Sequence, residues 1–180
     1  MGKQFTLNQS IKEAVFEALL QMLKTRSLDE VHINQLVQKA GICRTSYYRN
    51  FDSKEDILIQ YLNLIYEDYF KNYDFTSNQK KDETIYDFVY QRICFIKKHR
   101  NFFVILQKEK LLYSVFRQID LNNLHCLLQH TKKNDILNSY QIAIAVGITT
   151  AIIDEWINSE FKETEHDLAS MLTSIFGTLL

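Results

Sequence analysis

A single glycine sets the strongest constraint on this chain. Residues 33–40 repeat apolar side chains at helical spacing (Ile33, Leu36, Val37, Ala40), and Gly41 follows where a helix needs a residue that accepts positive φ to stop. Ile42 is apolar and can plug the corner. A second short helix opens at Cys43 or Arg44 and closes at Phe51. Two short helices about one glycine corner make a helix-turn-helix, a layout that offers its second helix to the DNA major groove. That helix carries Arg44, Thr45, Ser46, Tyr47, Tyr48 and Arg49, donors of the kind that meet base edges and phosphates. After it, Asp52-Ser53-Lys54-Glu55 reads as a capping box, with Asp52 as the cap and Glu55 reaching back. Lys54 then stands in the first turn of the next helix, where an ammonium can join backbone N–H groups in holding a phosphate.

The rest of the chain also reads as helix, and the fold class is all-α. No proline and only four glycines in 180 residues exclude an all-β fold built on tight turns. Ser10–Lys24 predicts a first helix, with Ser10-x-x-Glu13 as its capping box and Ile11, Ala14, Val15, Ala18, Leu19, Met22 and Leu23 as its apolar stripe. A long helix runs from Asp52 or Ser53 to about Tyr73, and Asp74–Asp82 is a polar linker. Helices follow over 83–99, 101–107, 108–130 (broken near 121–123), 134–159 and 164–179, about nine in all. The domains are 1–55, with the helix-turn-helix, and 56–180.

The last two helices have a different composition. Ile142–Ile153 is apolar on nearly every face, which predicts burial on all sides. Ala143, Gly147 and Ala151 form a small-residue ridge at four-residue spacing. The final helix, opened by Thr164-x-x-Asp167, shows Leu168, Leu172 and Ile175 along one side. Two adjacent, over-apolar helices predict a subunit interface formed by these six residues, and therefore a homodimer.

Charge agrees with a small DNA contact. The net charge is −1, yet residues 1–55 carry eight Lys/Arg against six Asp/Glu, and Lys39 to Lys54 holds four basic residues against Asp52 alone. Such a patch suits a dimer making a few phosphate contacts per half-site. Three scattered cysteines (Cys43, Cys94, Cys126) fit a reducing cytosol, and the N-terminus lacks the apolar run of a secretory signal. The longest apolar run has 12 residues, below the roughly 18–20 that cross a bilayer. A cytoplasmic location without a membrane partner is expected.

No phosphate-binding glycine loop, nucleophile elbow or paired-carboxylate signature is present, so neither an enzyme nor a cofactor is expected. His99, His125, His130 and Cys126 lack metal-ligand spacing. Cys43 reads as a small buried plug rather than a redox thiol.

From Ser10 to Leu62 the sequence resembles the N-terminal DNA-binding domain of the TetR family of bacterial transcriptional regulators. The residues that carry the resemblance are Ile11, Ala14, Ile33, Leu36, Ala40-Gly41-Ile42, Tyr48-x-x-Phe51 and Ser53-Lys54-Glu55-x-Ile57. The resemblance implies a three-helix DNA-binding domain followed by a helical ligand-binding and dimerisation domain. It implies a homodimeric repressor, released from a palindromic operator by a small-molecule effector. Tyr48 and Lys54 would clamp phosphates, with His32 and Ser46 also on the backbone. Arg44, Thr45, Ser46 and Tyr47 would face the groove, both tyrosines being exposed. Arg44 would meet a guanine and Tyr47 a thymine methyl.

The second domain is rich in aromatics, and the resemblance makes Tyr66, Phe70, Tyr86, Tyr90, Phe103, Tyr113 and Phe116 candidates for lining an effector pocket. The competing reading is a TetR-like co-activator or architectural protein whose C-terminal domain is packed solid and binds another protein.

Overall fold

The computed structural model describes residues 7–70, 81–119 and 135–179. These form nine helices and no strand: α1 (Leu7–Leu23), α2 (Ile33–Lys39), α3 (Arg44–Asn50), α4 (Lys54–Phe70), α5 (Lys81–Lys98), α6 (Arg100–Lys108), α7 (112–119), α8 (Asp135–Asn158) and α9 (Glu165–Leu179). The chain divides into two compact units, Met1–Asp68 and Tyr69–Leu180. The first unit therefore extends past the boundary expected at residue 55, because Ile57, Leu58 and Leu62 of α4 are buried in its core.

In the first unit α1 packs on both α2 and α3 through the stripe expected of it, Val15, Ala18, Leu19, Met22 and Leu23 being buried. Helix α1 begins at Leu7, so Ser10 lies inside the helix and caps nothing. The glycine corner forms as expected. Gly41 has φ +68°, its N–H donates to the Gln38 carbonyl (3.2 Å), and the Ile42 N–H donates to the Val37 carbonyl (3.0 Å). This paired closure is the Schellman motif, and it satisfies carbonyls that the end of α2 would otherwise leave open. The cap of α4 falls one residue later than expected. The Asp56 N–H donates to Ser53 Oγ (3.1 Å), while the Asp56 carboxylate accepts the Asp52 N–H (3.1 Å).

In the second unit α9 lies along α5. Phe88, Val89, Ile93 and Ile96 on α5 and Leu168, Ala169 and Leu172 on α9 are buried. Phe103 meets Phe95 edge-on (5.9 Å between centroids) and stacks on Phe116 (5.8 Å). The corner between α8 and α9 is tight. Glu160 (φ 57°) and Phe161 (φ 60°) are both left-handed, and the Trp156 indole N–H donates to the Glu163 carbonyl (3.0 Å). The Lys97 ammonium lies 5.2 Å from the Trp156 and Phe161 rings and donates to the Phe161 carbonyl (3.0 Å). The Thr164–Asp167 cap is present, with the Asp167 N–H donating to Thr164 Oγ1 (3.2 Å).

Helix α8 is not buried on every side. Ala145, Val146, Ile153, Trp156 and Ile157 face inward, but Tyr140, Ala143, Ile144 and Ala151 are exposed. The linker expected over Asp74–Asp82 falls outside the described residues except for Lys81 and Asp82, which belong to α5. His125, Cys126 and His130 also lie outside them.

Candidate nucleic-acid interface

Helix α3 has seven residues, RTSYYRN, and none is acidic. Its inner side is set by Tyr47 and by Phe51 just beyond its end, four residues apart and both buried, their rings 5.7 Å apart. Helical geometry then leaves two rows on the outer side, Arg44 with Tyr48 and Thr45 with Arg49. All four are exposed. The Arg44 Nη2 donates to the Tyr48 hydroxyl (3.2 Å), with its guanidinium carbon 5.7 Å from the Tyr48 ring, so the two side chains share one orientation. Of the residues expected to face the groove, Arg44 and Thr45 are exposed and Ser46 is half-buried, and Tyr48, expected on a phosphate, is exposed beside them. His32, exposed at the N-cap of α2, lies outside this helix and makes no side-chain cap bond.

Two expectations are corrected. Tyr47 has 0% of its surface exposed and cannot meet a thymine methyl without leaving the core. With Phe51 needed inside, the residue one turn earlier has to be inside too. Lys54 does not stand free for a phosphate. Its ammonium donates to the backbone carbonyls of Leu28 (2.5 Å), Val31 (3.1 Å) and Asp29 (3.4 Å). Arg49, counted among the donors of α3 but given no contact of its own, joins this outer side through its four-residue offset from Thr45.

Cys43 is exposed at the N-cap of α3, not a buried plug. Its Sγ lies 3.2 Å from Ser46 Oγ, and this hydrogen bond, helped by the Ser46 backbone, lowers the thiol pKa below its usual value.

The aromatic residues expected to line one pocket are dispersed. Phe103 and Phe116 are stacked in the core of the second unit, whereas Tyr113 is exposed. Tyr86 and Tyr90 are half-buried along α5, and Tyr86 lies edge-on to His166 (5.9 Å). Tyr66 is buried within the first unit, and the side chain of Phe70 lies outside the described residues. A cleft of about 390 Å³ opens instead between α1 and α4 of the first unit, lined by Phe16, Tyr61 and Leu64 with Gln9, Lys12 and Glu67.

The expected dimer residues also divide. Leu168 and Leu172 are buried within the chain, on the helix that packs along α5, and so cannot form an outer interface. Ala143 and Ala151 are exposed, and Gly147 and Ile175 are half-buried. Tyr140 (66% exposed), Ile144 (49%) and Met171 (43%) are further exposed apolar residues of α8 and α9.

A three-helix reader followed by a separate helical unit is the architecture of TetR-family transcriptional regulators, and the chain has that fold. A TetR-family regulator from Streptomyces coelicolor superposes with a TM-score of 0.61 at 18% identity, covering 99% of this chain and 82% of that one. A TetR regulator from Streptococcus agalactiae 2603V gives a TM-score of 0.61 at 16% identity, covering 94% of each chain. In sequence, the chain is 24% identical over 163 residues to the uncharacterized HTH-type transcriptional regulator YxbF of Bacillus subtilis (strain 168), covering 84% of this chain. The match takes in 41% of YxbF, so the chain spans less than half of that relative's length. No family model matches the sequence. These similar proteins are named as transcriptional regulators, not enzymes. No helix among the described residues is long and apolar enough to cross a membrane.

Proposed function

We propose that the chain is a sequence-specific, DNA-binding transcriptional regulator of the TetR type, acting as a homodimer on a two-fold symmetric operator. The observation that carries this reading is the outer side of α3: Arg44, Thr45, Tyr48 and Arg49 are exposed on a helix whose opposite side is anchored by Tyr47 and Phe51. Four donors on a helix held rigid from behind are what base edges and phosphates require. The outward apolar surface of α8 and α9 supplies a site for a second copy. Two copies would set two recognition helices about 34–36 Å apart, in successive major grooves.

Response to a small molecule is part of the proposal. Helix α4 begins beside the recognition helix at Lys54 and carries Tyr69 and Phe70 of the second unit, so a change there has a continuous helix to act through. A coupling of about 1–3 kcal/mol would lower operator affinity roughly 5- to 150-fold, the effect of a repressor's inducer.

Selection of bound duplexes from random DNA tests the reading directly. A symmetric pair of half-sites is expected. Arg44→Ala should relax one base position in each half-site at a cost of about 1–3 kcal/mol. Failure to enrich any sequence, or Arg44→Ala leaving the selected motif unchanged, would remove α3 from the interface.

A further inference from the structure

The first two turns of α4 hold the helix-turn-helix at two separate points. At one, the Lys54 ammonium, with three hydrogens to give, meets the carbonyls of Leu28, Asp29 and Val31. Leu28 and Val31 are buried, and the turn they bracket is closed by the Val31 N–H donating to the Leu28 carbonyl (3.2 Å). That turn leads straight into His32, the N-cap of α2. At the other, Gln60 Nε2 donates to the carbonyl of Asn50, the last residue of α3 (2.9 Å), and to the Asp56 carboxylate (2.8 Å). Both partners are acceptors, which fixes the orientation of the Gln60 amide. Asn50 in turn donates from Nδ2 to the Ser46 carbonyl within α3 (2.7 Å). One grip sets where α2 begins, and the other sets where α3 ends.

We infer that Lys54 and Gln60 are positioning residues for DNA recognition, a two-point clasp that fixes α2 and α3 at the angle their base contacts need. The inference rests on the DNA-binding reading. It assigns Lys54 a role other than phosphate clamp: moving the ammonium to a phosphate would strip a partner from carbonyls on buried residues. A clamp and a clasp have different consequences. Loss of a phosphate contact weakens all DNA equally and reduces the salt dependence. Loss of the clasp lets the recognition helix tilt, which damages base contacts and leaves non-specific attraction in place.

The test uses the full chain with Lys54→Met, which keeps the apolar stem, and Gln60→Met. Each variant is titrated against a duplex selected by the wild-type chain and against a random-sequence duplex, over a range of salt. Amide hydrogen exchange is followed in the DNA-free protein. For Lys54→Met the clasp predicts faster exchange over 28–36, affinity for the selected duplex lower by about tenfold or more, and unchanged random-DNA affinity and salt slope. Gln60→Met should give the same split between selected and random DNA, with exchange rising around Asn50. A salt slope reduced by about 0.9, a parallel fall on random DNA and unaltered exchange would overturn the proposal and make Lys54 a phosphate ligand. General destabilisation would lower binding to both duplexes alike and would also overturn it. If Lys54→Met does not fold, Lys54→Gln, which keeps two N–H donors, takes its place in the same comparison. Should the wild-type chain bind no DNA, the regulator reading fails by itself, and the clasp stands or falls on the exchange data.

Discussion

Tyr47 gives the sharpest single perturbation. Its ring is wholly buried between Phe51 and the edge of Tyr48, and its hydroxyl has no hydrogen-bond partner among the described residues. Burial also raises the pKa of its phenol above the ordinary value, the sign of a polar group held in apolar surroundings. A buried hydroxyl without a partner costs about 1–3 kcal/mol relative to one hydrated in the unfolded chain. Tyr47→Phe removes that cost and keeps the ring, while the space left is one oxygen atom. The balance favours the variant by about 1 kcal/mol, or about 2–4 °C in Tm for a chain of this size. Tyr47→Ala, by contrast, should lose about 3–5 kcal/mol through the lost ring and the cavity. Calorimetry on the three proteins measures both signs. Operator titration with Tyr47→Phe should match wild type, because a side chain with no exposed surface cannot read a base. A Tyr47→Phe variant less stable than wild type would mean that the hydroxyl has a partner, such as a buried water. One with weakened operator discrimination would restore Tyr47 to the groove and refute the reasoning.

Further outcomes follow from the left-handed corners and from the ionisable groups. Gly41→Ala should destabilise the first unit by roughly 1–2 kcal/mol because of its left-handed φ alone, since an added Cβ meets nothing within 4 Å. Glu160→Gly, at the equivalent left-handed position after α8, should stabilise by up to about 1 kcal/mol; thermal melts compare the two signs. Alkylation followed by peptide mass spectrometry should find Cys43 modified well before Cys94, because the Ser46 hydrogen bond lowers one thiol pKa and burial raises the other. Stability should fall above about pH 10, where Tyr47 and Tyr61 ionise in the unfolded chain but stay protonated in the folded one, burial having raised both. It should also fall below about pH 6.5, because burial, seconded by Lys98, lowers the pKa of His99 and makes its protonation favour the unfolded chain; Tm measured from pH 5 to 11 tests both limbs.

Signals confined to one turn of chain were legible before any coordinates. The Gly41 corner and the Thr164 cap both follow from local spacing, and the structure holds each. The choice of which tyrosine points inward was not local. It depends on the burial of Phe51, and reading it required carrying the four-residue offset back to Tyr47. Lys54 could not be read at all, because its partners lie 23 to 26 residues earlier in the chain. The apolar spacing of Leu168 and Leu172 marks a buried row but not which helix covers it. Once α5 packs along α9, their apolar row is accounted for within one chain. The aromatics expected to line a pocket carried no spacing rule, so their dispersal between core and surface had no signal in the sequence.

The outward surface of α8 and α9 and the small size of the α3 reader bear on one another. A seven-residue helix with two arginines neutralises few phosphates, so a single copy would hold DNA little better than non-specifically. Joining two copies makes the second half-site contact intramolecular, and this can raise affinity 10²- to 10⁴-fold without any new contact. Tyr140, Ala143, Ile144, Ala151 and Met171 are the apolar side chains that such a union would cover. Ala151 is exposed in the single chain, so Ala151→Glu should fold normally while placing a charge where the partner's apolar surface must sit. Sedimentation should then show monomers, circular dichroism should be unchanged, and operator affinity should fall by about two orders of magnitude or more. A wild-type chain that is monomeric at micromolar concentration and still binds its operator tightly would defeat this argument, as would an Ala151→Glu dimer of undiminished strength.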